Sequence, residues 1–258
     1  MDQALAASYE ECKRLNSLHG KTYYLATLLL PRNKRPYVHA LYGFARYADE
    51  IVDDLASTLS PTEKAEALRS WSSGVLADLK AGTSTDHIGR ALVDTARKFD
   101  IPHQHFVDFL HSMEMDLTVT EYQTYEDLLE YVYGSAAVIG LEMVPILGYS
   151  DERAYEAAKK LGIAFQLANF IRDVNEDLDR GRVYLPLQDL AQFGVDRAML
   201  ERRVLTPEII AALKFQIARV RQLQREADIG IAYLEKESRP CIRAVSYTHL
   251  TLPTNREV

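Results

Sequence analysis

Two cysteines, Cys12 and Cys241, are all the chain holds. They are too few for a disulfide framework, so a reducing, cytoplasmic setting is the expectation. Glycine occurs 12 times and proline 9 times in 258 residues, and no Gly-, Ser- or Pro-rich stretch gathers them into a linker, so one domain is expected rather than two. Long apolar runs are missing as well. The longest, residues 25–31 and 135–148, fall short of the ~20 residues a membrane-spanning helix needs, and the second carries Glu142. Met1-Asp2-Gln3 offers neither the basic nor the apolar region of a secretory signal, and none is expected. Basic residues are in deficit, with a net charge of −7. That balance excludes nucleic acid as the main partner and would repel an anionic ligand unless cations intervene.

What is present is an ordinary globular balance, 47% hydrophobic and 26% charged, enough for a sizeable core. The apolar residues recur with a helical period, interrupted at Pro31, Ser60-Pro61, Ala81-Gly82, Ile101-Pro102, residues 148–150, Pro186 and Thr206-Pro207. The spacing predicts about eight to ten helices, no strands and an all-α single domain. Ser60-Pro61 and Thr206-Pro207 each set a capping side chain before a first-turn proline, which marks helix starts. From Ser246 onward the helical period is lost. The boundary is therefore placed at residue 245, with 1–245 as the domain, its last helix cut short, and 246–258 as a non-native tail that packs against nothing.

Chemistry concentrates on two segments. In residues 40–54, at 100° per residue, Tyr42, Arg46, Asp49 and Asp53 fall within roughly 60° of one another, while Leu41, Phe44, Ala48, Ile51, Val52 and Leu55 take the opposite arc. In residues 162–177, Gln166, Asn169, Asp173 and Asp177 fall within roughly 80°. The surrounding turns are apolar nearly all round, so Gln166 and Asn169 must be buried and need partners, which a polar cavity would supply. Two such stripes facing one another could hold divalent cations between them. Mg²⁺, with Mn²⁺ as a substitute, prefers hard oxygens and is commonly shared between carboxylates and substrate phosphates, which resolves how an acidic protein could hold a diphosphate. Lys21, Arg46, Arg172 and Arg182 could contact its oxygens.

A single Asp-x-x-x-Asp is weak: 18 aspartates yield roughly one by chance, usually on a solvated face. Two stripes of similar spacing, one continuing from buried-looking amides, are harder to assign to chance. His103, His105 and His111 lack the Cys or carboxylate spacing of a zinc site. Ser135 lacks the G-x-S-x-G setting of an acyl-transfer nucleophile.

Over about residues 8–243 the chain resembles the squalene and phytoene synthase family. Tyr42, Arg46 and Asp49-Glu-Ile-Val-Asp53 resemble the first aspartate-rich motif, residues 166–177 the second, and residues 180–186 (RGRVYLP) the loop that follows. His19, Lys21 and Tyr131-Val-Tyr-Gly134 also match, whereas Gly20 departs from the Ser often found there. The resemblance implies an isoprenoid-synthase-type helical bundle with a central cavity. It implies Asp49, Asp53, Asp173 and Asp177 as metal ligands, with Arg46 and Tyr42 beside them. It further implies His19, Lys21, Tyr131, Gln166, Asn169, Arg172 and Tyr184 as substrate contacts, the tyrosines being candidates to stabilise a carbocation. The activity implied is head-to-head condensation of two prenyl diphosphates through a cyclopropylcarbinyl diphosphate. Two geranylgeranyl diphosphates would give phytoene without NADPH; farnesyl diphosphate would give squalene or dehydrosqualene. A class I terpene cyclase and a non-catalytic relative serving as an assembly protein stay as alternatives. An apolar tunnel lined by part of residues 131–144, and a peripheral contact with the inner face of a membrane, are expected for such substrates.

Overall fold

The computed structural model describes residues 2–53 and 59–251, apart from the side chains of Asp53, Pro61 and residues 249–251. The expected ligand Asp53 is thus described only by its backbone, and Asp54, Leu55 and residues 252–258 lie outside the described residues. Helices account for nearly all the regular structure, and the β pairing among the described residues is two isolated bridges, Glu121 to Val183 and Tyr149 to Leu234. Among the described residues there are ten helices of eight residues or more: α1 Gln3–His19, α3 Arg35–Asp53, α4 Pro61–Ala81, α5 Gly89–Lys98, α6 His103–Met115, α7 Tyr125–Val132, α8 Val138–Leu147, α9 Arg153–Arg172, α13 Pro207–Gly230 and α14 Arg239–Thr251. Four short ones, α2 Lys21–Thr27, α10 Val174–Asp179, α11 Leu187–Ala191 and α12 Arg197–Glu201, were too brief to show a period.

The predicted punctuation marks real ends. Ser60 accepts from the Glu63 amide while Glu63 returns a bond to the Ser60 amide, a complete capping box. Thr206 caps α13 in front of Pro207. Gly82, at φ 71°, closes α4 in the left-handed conformation that glycine adopts without a Cβ penalty.

The expectation that residues 246–258 pack against nothing does not hold at Ser246. Helix α14 runs across residue 245 to Thr251, and Ser246 is buried: its carbonyl and hydroxyl accept from Gln224 Nε2 at 2.9 and 3.0 Å, and its hydroxyl donates to Asp228 at 2.7 Å. Ser246, where the helical period is lost, turns its polar side chain inward onto α13.

The core is built around helices α7 and α8, joined through a π turn at Tyr133–Ala137 into one run, Tyr125–Leu147. Its 23 residues and mean hydropathy of 1.2 satisfy the length and composition of a membrane-spanning helix, which the shorter apolar run in the sequence did not. Here it is a core helix: Val132, Ala137, Val138 and Val144 are fully buried. Glu142 is also fully buried, with neither carboxyl oxygen bonded among the described residues, and burial pushes its pKa well up, so it packs as a neutral acid.

Backbones come unusually close on the other side. A Cβ at Gly140 would lie 2.4 Å from the Ala158 carbonyl oxygen, and one at Gly162 would lie 2.5 Å from that of Ala136. Glycine at both positions lets α9 press against the π turn and α8. That contact forms one wall of the site.

Candidate active site

Helices α2, α3, α8, α9, α13 and α14 enclose a cavity of about 320 Å³. Most of its wall is apolar, with Ile139, Met143, Leu161, Phe165, Ile242 and Val245 among the lining residues. Polar side chains gather on one rim: Asn16, Tyr23, Tyr42, Gln166 and Asn169. Gln166 and Asn169 are half-buried and bond one another at 3.4 Å, so the two amides expected to need partners find them in each other and in the cavity.

The first motif follows directly from this rim. Tyr42 lines the cavity from α3, and its pKa is raised by burial, opposed by Arg46 and reinforced by Asp49. Arg46 Nη1 donates to Asp49 at 2.7 Å, whereas Arg46 Nε is buried with no partner among the described residues. An orphaned guanidinium N–H beside a cavity is a ready donor to an anionic oxygen. Gly20 is explained by the same rim. A Cβ there would fall 2.6 Å from the Tyr42 ring and 2.8 Å from Asn16 Oδ1, so Tyr42 occupies the space a larger residue would need.

The second motif is bent rather than straight. Asp173 ends α9 and precedes α10 with φ −101° and ψ 13°, outside the helical range, so the single-helix arithmetic overstated the regularity of residues 166–177. The hydrogen-bond ladder still runs through: the Asp173 amide donates to the Asn169 carbonyl at 2.8 Å, and the Asp177 amide to the Asp173 carbonyl at 2.9 Å. Asn169, Asp173 and Asp177 therefore stay one turn apart. Arg172 grips Asp173 through two hydrogen bonds, of 2.6 and 2.5 Å. Asp177 is buried. Desolvation, then the like charge of Asp173, lift its pKa to about 7 against the opposing pull of Arg180 and Arg182.

Tyr42 of the first motif and Gln166 and Asn169 of the second line the same cavity. The Tyr23 hydroxyl, its pKa pushed up to about 12 by burial, is acted on by both Arg172 of the second motif and Tyr42 of the first. Tyr23 lies on α2 between them, although 39% of its surface is exposed.

Other expected contacts land elsewhere. His19 and Lys21 are exposed at the junction of α1 and α2 and do not line the cavity. Tyr131 is buried and is not among the residues lining the cavity, to which Ser135, Ala136, Ile139, Gly140, Met143 and Val144 contribute from its segment; its hydroxyl donates to Asp116 at 2.7 Å. Tyr184 donates to the other Asp116 oxygen at 2.7 Å, and Arg182 donates to the Asp116 carbonyl at 2.8 Å. The Tyr184 ring stacks on Phe170 of α9 at 4.2 Å and 8°. Asp116 thus ties residues 180–186 to α6 behind the second motif, a role no spacing in the sequence announced. A hint was available in Tyr131 and Tyr184, whose buried hydroxyls need acceptors.

No three His, Cys, Asp or Glu side chains converge as a preformed metal site among the described residues, which includes the three histidines near α6. Asp173 and Asp177 lie one turn apart, a spacing at which two carboxylates can share a divalent ion with a ligand, and burial followed by the charge of Asp173 holds the Asp177 pKa at about 7.

Comparison with known proteins decides the family. The squalene/phytoene synthase family model matches residues 17–253. The chain belongs to the squalene/phytoene synthase family. It is 36% identical to 15-cis-phytoene synthase of Synechococcus elongatus over 250 residues, covering 92% of this chain and 79% of that protein. It is 39% identical to chloroplastic phytoene synthase 2 of Zea mays over 242 residues, 91% of this chain but 59% of the maize protein, so the chain spans less than two thirds of that relative. A crystal structure of a dehydrosqualene synthase with bound ligand superimposes with a TM-score of 0.88 at 27% identity, covering 96% of this chain and 86% of that one. Squalene synthase from Alicyclobacillus acidocaldarius gives a TM-score of 0.88 at 25% identity, over 98% and 94%. The isoprenoid-synthase-type bundle expected from the resemblance is the fold of these family members.

Proposed function

We propose that the protein is a prenyltransferase that condenses two prenyl diphosphates head to head, with two geranylgeranyl diphosphates giving phytoene. The observation that carries this reading is the union, on one apolar cavity, of a rim bearing Tyr42, Gln166 and Asn169 with the two acidic motifs that follow on α3 and α9. An apolar cavity accepts prenyl tails, and Arg46 and Arg172, with cations held by the carboxylates, accept diphosphates. Identity to phytoene synthases over most of this chain supports the choice of product.

In the first half-reaction the allylic C–O bond of one substrate breaks, diphosphate leaves with the electron pair, and the double bond of the second substrate attacks the cation. Loss of a proton gives the cyclopropylcarbinyl diphosphate. In the second, that diphosphate leaves, the carbon skeleton rearranges, and a second proton is lost to give phytoene without hydride transfer. Arg46, through its unpartnered Nε, and Arg172 orient the diphosphate oxygens. The apolar wall excludes water that would quench the cations. Asp49, Asp53, Asp173 and Asp177 would hold Mg²⁺, which supplies Lewis-acid stabilisation of the leaving oxygens when bound.

The test is incubation of the purified protein with Mg²⁺ and geranylgeranyl or farnesyl diphosphate, with and without NADPH, followed by product identification. Phytoene from the longer substrate without reductant is expected. A hydrocarbon formed only from farnesyl diphosphate, or only when NADPH is added, overturns the assignment.

A further inference from the structure

Helix α9 runs the length of the cavity. Gln166 and Asn169 stand at the polar rim, and the same wall continues downward through Leu161, Ala158 and Ala154. Helix α8 runs the opposite way beside it: Gly162 lies against the Ala136 carbonyl and, one turn nearer the start of α9, Gly140 lies against the Ala158 carbonyl. The far end is closed. Leu147, Ala154, Leu234 and Cys241 all line the cavity there, are no more than 5% exposed, and belong to one apolar cluster. Asn169 and Ala154 are 15 positions apart, so at 1.5 Å per residue the cavity is about 22 Å deep.

That depth can be set against the length of a prenyl tail. With carbon–carbon bonds of about 1.5 Å a zigzag chain advances roughly 1.25 Å per bond, so an extended farnesyl chain spans about 14 Å and a geranylgeranyl chain about 19 Å. Measured down α9 from Asn169, the first ends after roughly nine residues, near Leu161, and the second after roughly 13, between Ala157 and Ala154. The fourth isoprene unit therefore lies beside the turn from Ala154 to Ala158. Side chains on a helix lean toward its N-terminus, which on α9 is the closed end, so a larger side chain at Ala158 would fill the space beneath it. Ala158 is half-buried, with its backbone held against Gly140, which leaves the cavity as the free space for added atoms.

We infer that Ala158 and the floor below it measure the tail of the substrate: the small side chain leaves room for a fourth isoprene unit, and Leu147 and Leu234 stop a fifth. That the ligand is a prenyl chain rests on the proposed function, whereas the depth of the cavity is measured with tails that carry no leaving group.

The experiment is binding of farnesol, geranylgeraniol and a prenyl alcohol of five isoprene units, by titration calorimetry and thermal shift. The wild type is expected to bind geranylgeraniol at least ~tenfold more tightly than farnesol, because five more carbons are buried, and to gain nothing further from the fifth unit. Ala158→Leu is expected to erase the advantage of geranylgeraniol while binding farnesol within about threefold of wild type, since only the space of the fourth unit is filled. Leu234→Ala, which deepens the floor, is expected to bind the five-unit alcohol at least ~fivefold more tightly than wild type does. It stands as the test should Ala158→Leu not fold. Equal binding of farnesol and geranylgeraniol by the wild type overturns the inference. So does an advantage of geranylgeraniol kept in well-folded Ala158→Leu, or no gain for the five-unit alcohol in well-folded Leu234→Ala. Turnover separates the length gauge from the reaction itself: the expected binding order with no hydrocarbon formed in the presence of Mg²⁺ would refute the condensation and leave the gauge standing.

Discussion

The amide of Asp177 donates to the carbonyl of Asp173 at 2.9 Å, which fixes their carboxyl groups one helical turn apart across a bend. Burial, followed by the charge of Asp173, raises the Asp177 pKa to about 7. A carboxyl whose folded pKa lies above its unfolded value, ~3.9, stabilises the fold at low pH and loses that contribution as pH rises through the folded pKa. Metal-free protein is therefore expected to lose about 2–4 kcal/mol of stability from this group between pH ~4 and ~7. Thermal melts in chelator across that range measure it. Asp177→Asn should flatten this part of the profile, and identical profiles for variant and wild type would contradict the assignment.

Asp116 joins Tyr131, Tyr184 and Arg182. Asp116→Ala leaves two buried tyrosine hydroxyls without their acceptor, at a cost of about 3 kcal/mol, while Asp116→Asn retains one acceptor oxygen and should cost about half as much. Urea unfolding of both variants checks the order. Equal, negligible losses would mean that the cluster holds without its carboxylate.

Two kinds of glycine are expected to respond with opposite signs. Gly140→Ala would put a Cβ 2.4 Å from the Ala158 carbonyl oxygen, and overpacking there should cost about 1–3 kcal/mol. Gly74, exposed in mid-α4, has nothing within 4 Å of an added Cβ, so Gly74→Ala should gain up to about 1 kcal/mol from helix propensity. A melt of each variant separates close helix packing at Gly140 from simple backbone freedom.

Much of this was legible in the sequence because it is local. The helical period, the capping box at Ser60 and Glu63, and the Thr206-Pro207 start depend on residues within one turn, and the structure keeps them. That Gln166 and Asn169 need partners followed from their being polar in an apolar turn; that they bond one another did not. What the sequence did not disclose depends on distant partners or on departures from ideal geometry. Asp116 has meaning only once residues 131 and 184 fold onto it, the bend at Asp173 breaks the assumed 100° step, and Ser246 reads as a lost period until Gln224 and Asp228 arrive.

The central claim is that the two acidic motifs act together at one metal–diphosphate site, and turnover at limiting Mg²⁺ in single Asp→Asn variants tests it most directly. Asp179 is the control, because it has the same chemistry two residues from Asp177 but is paired with Arg203 on the surface. Conversion of geranylgeranyl diphosphate to hydrocarbon is expected to fall at least roughly tenfold to a hundredfold in Asp49→Asn, Asp53→Asn, Asp173→Asn and Asp177→Asn, with the fold retained. Asp179→Asn should stay near wild type, changing stability by about 0.5 kcal/mol or less. Full activity in Asp53→Asn and Asp177→Asn, or equal losses at the motif positions and at Asp179, would contradict it.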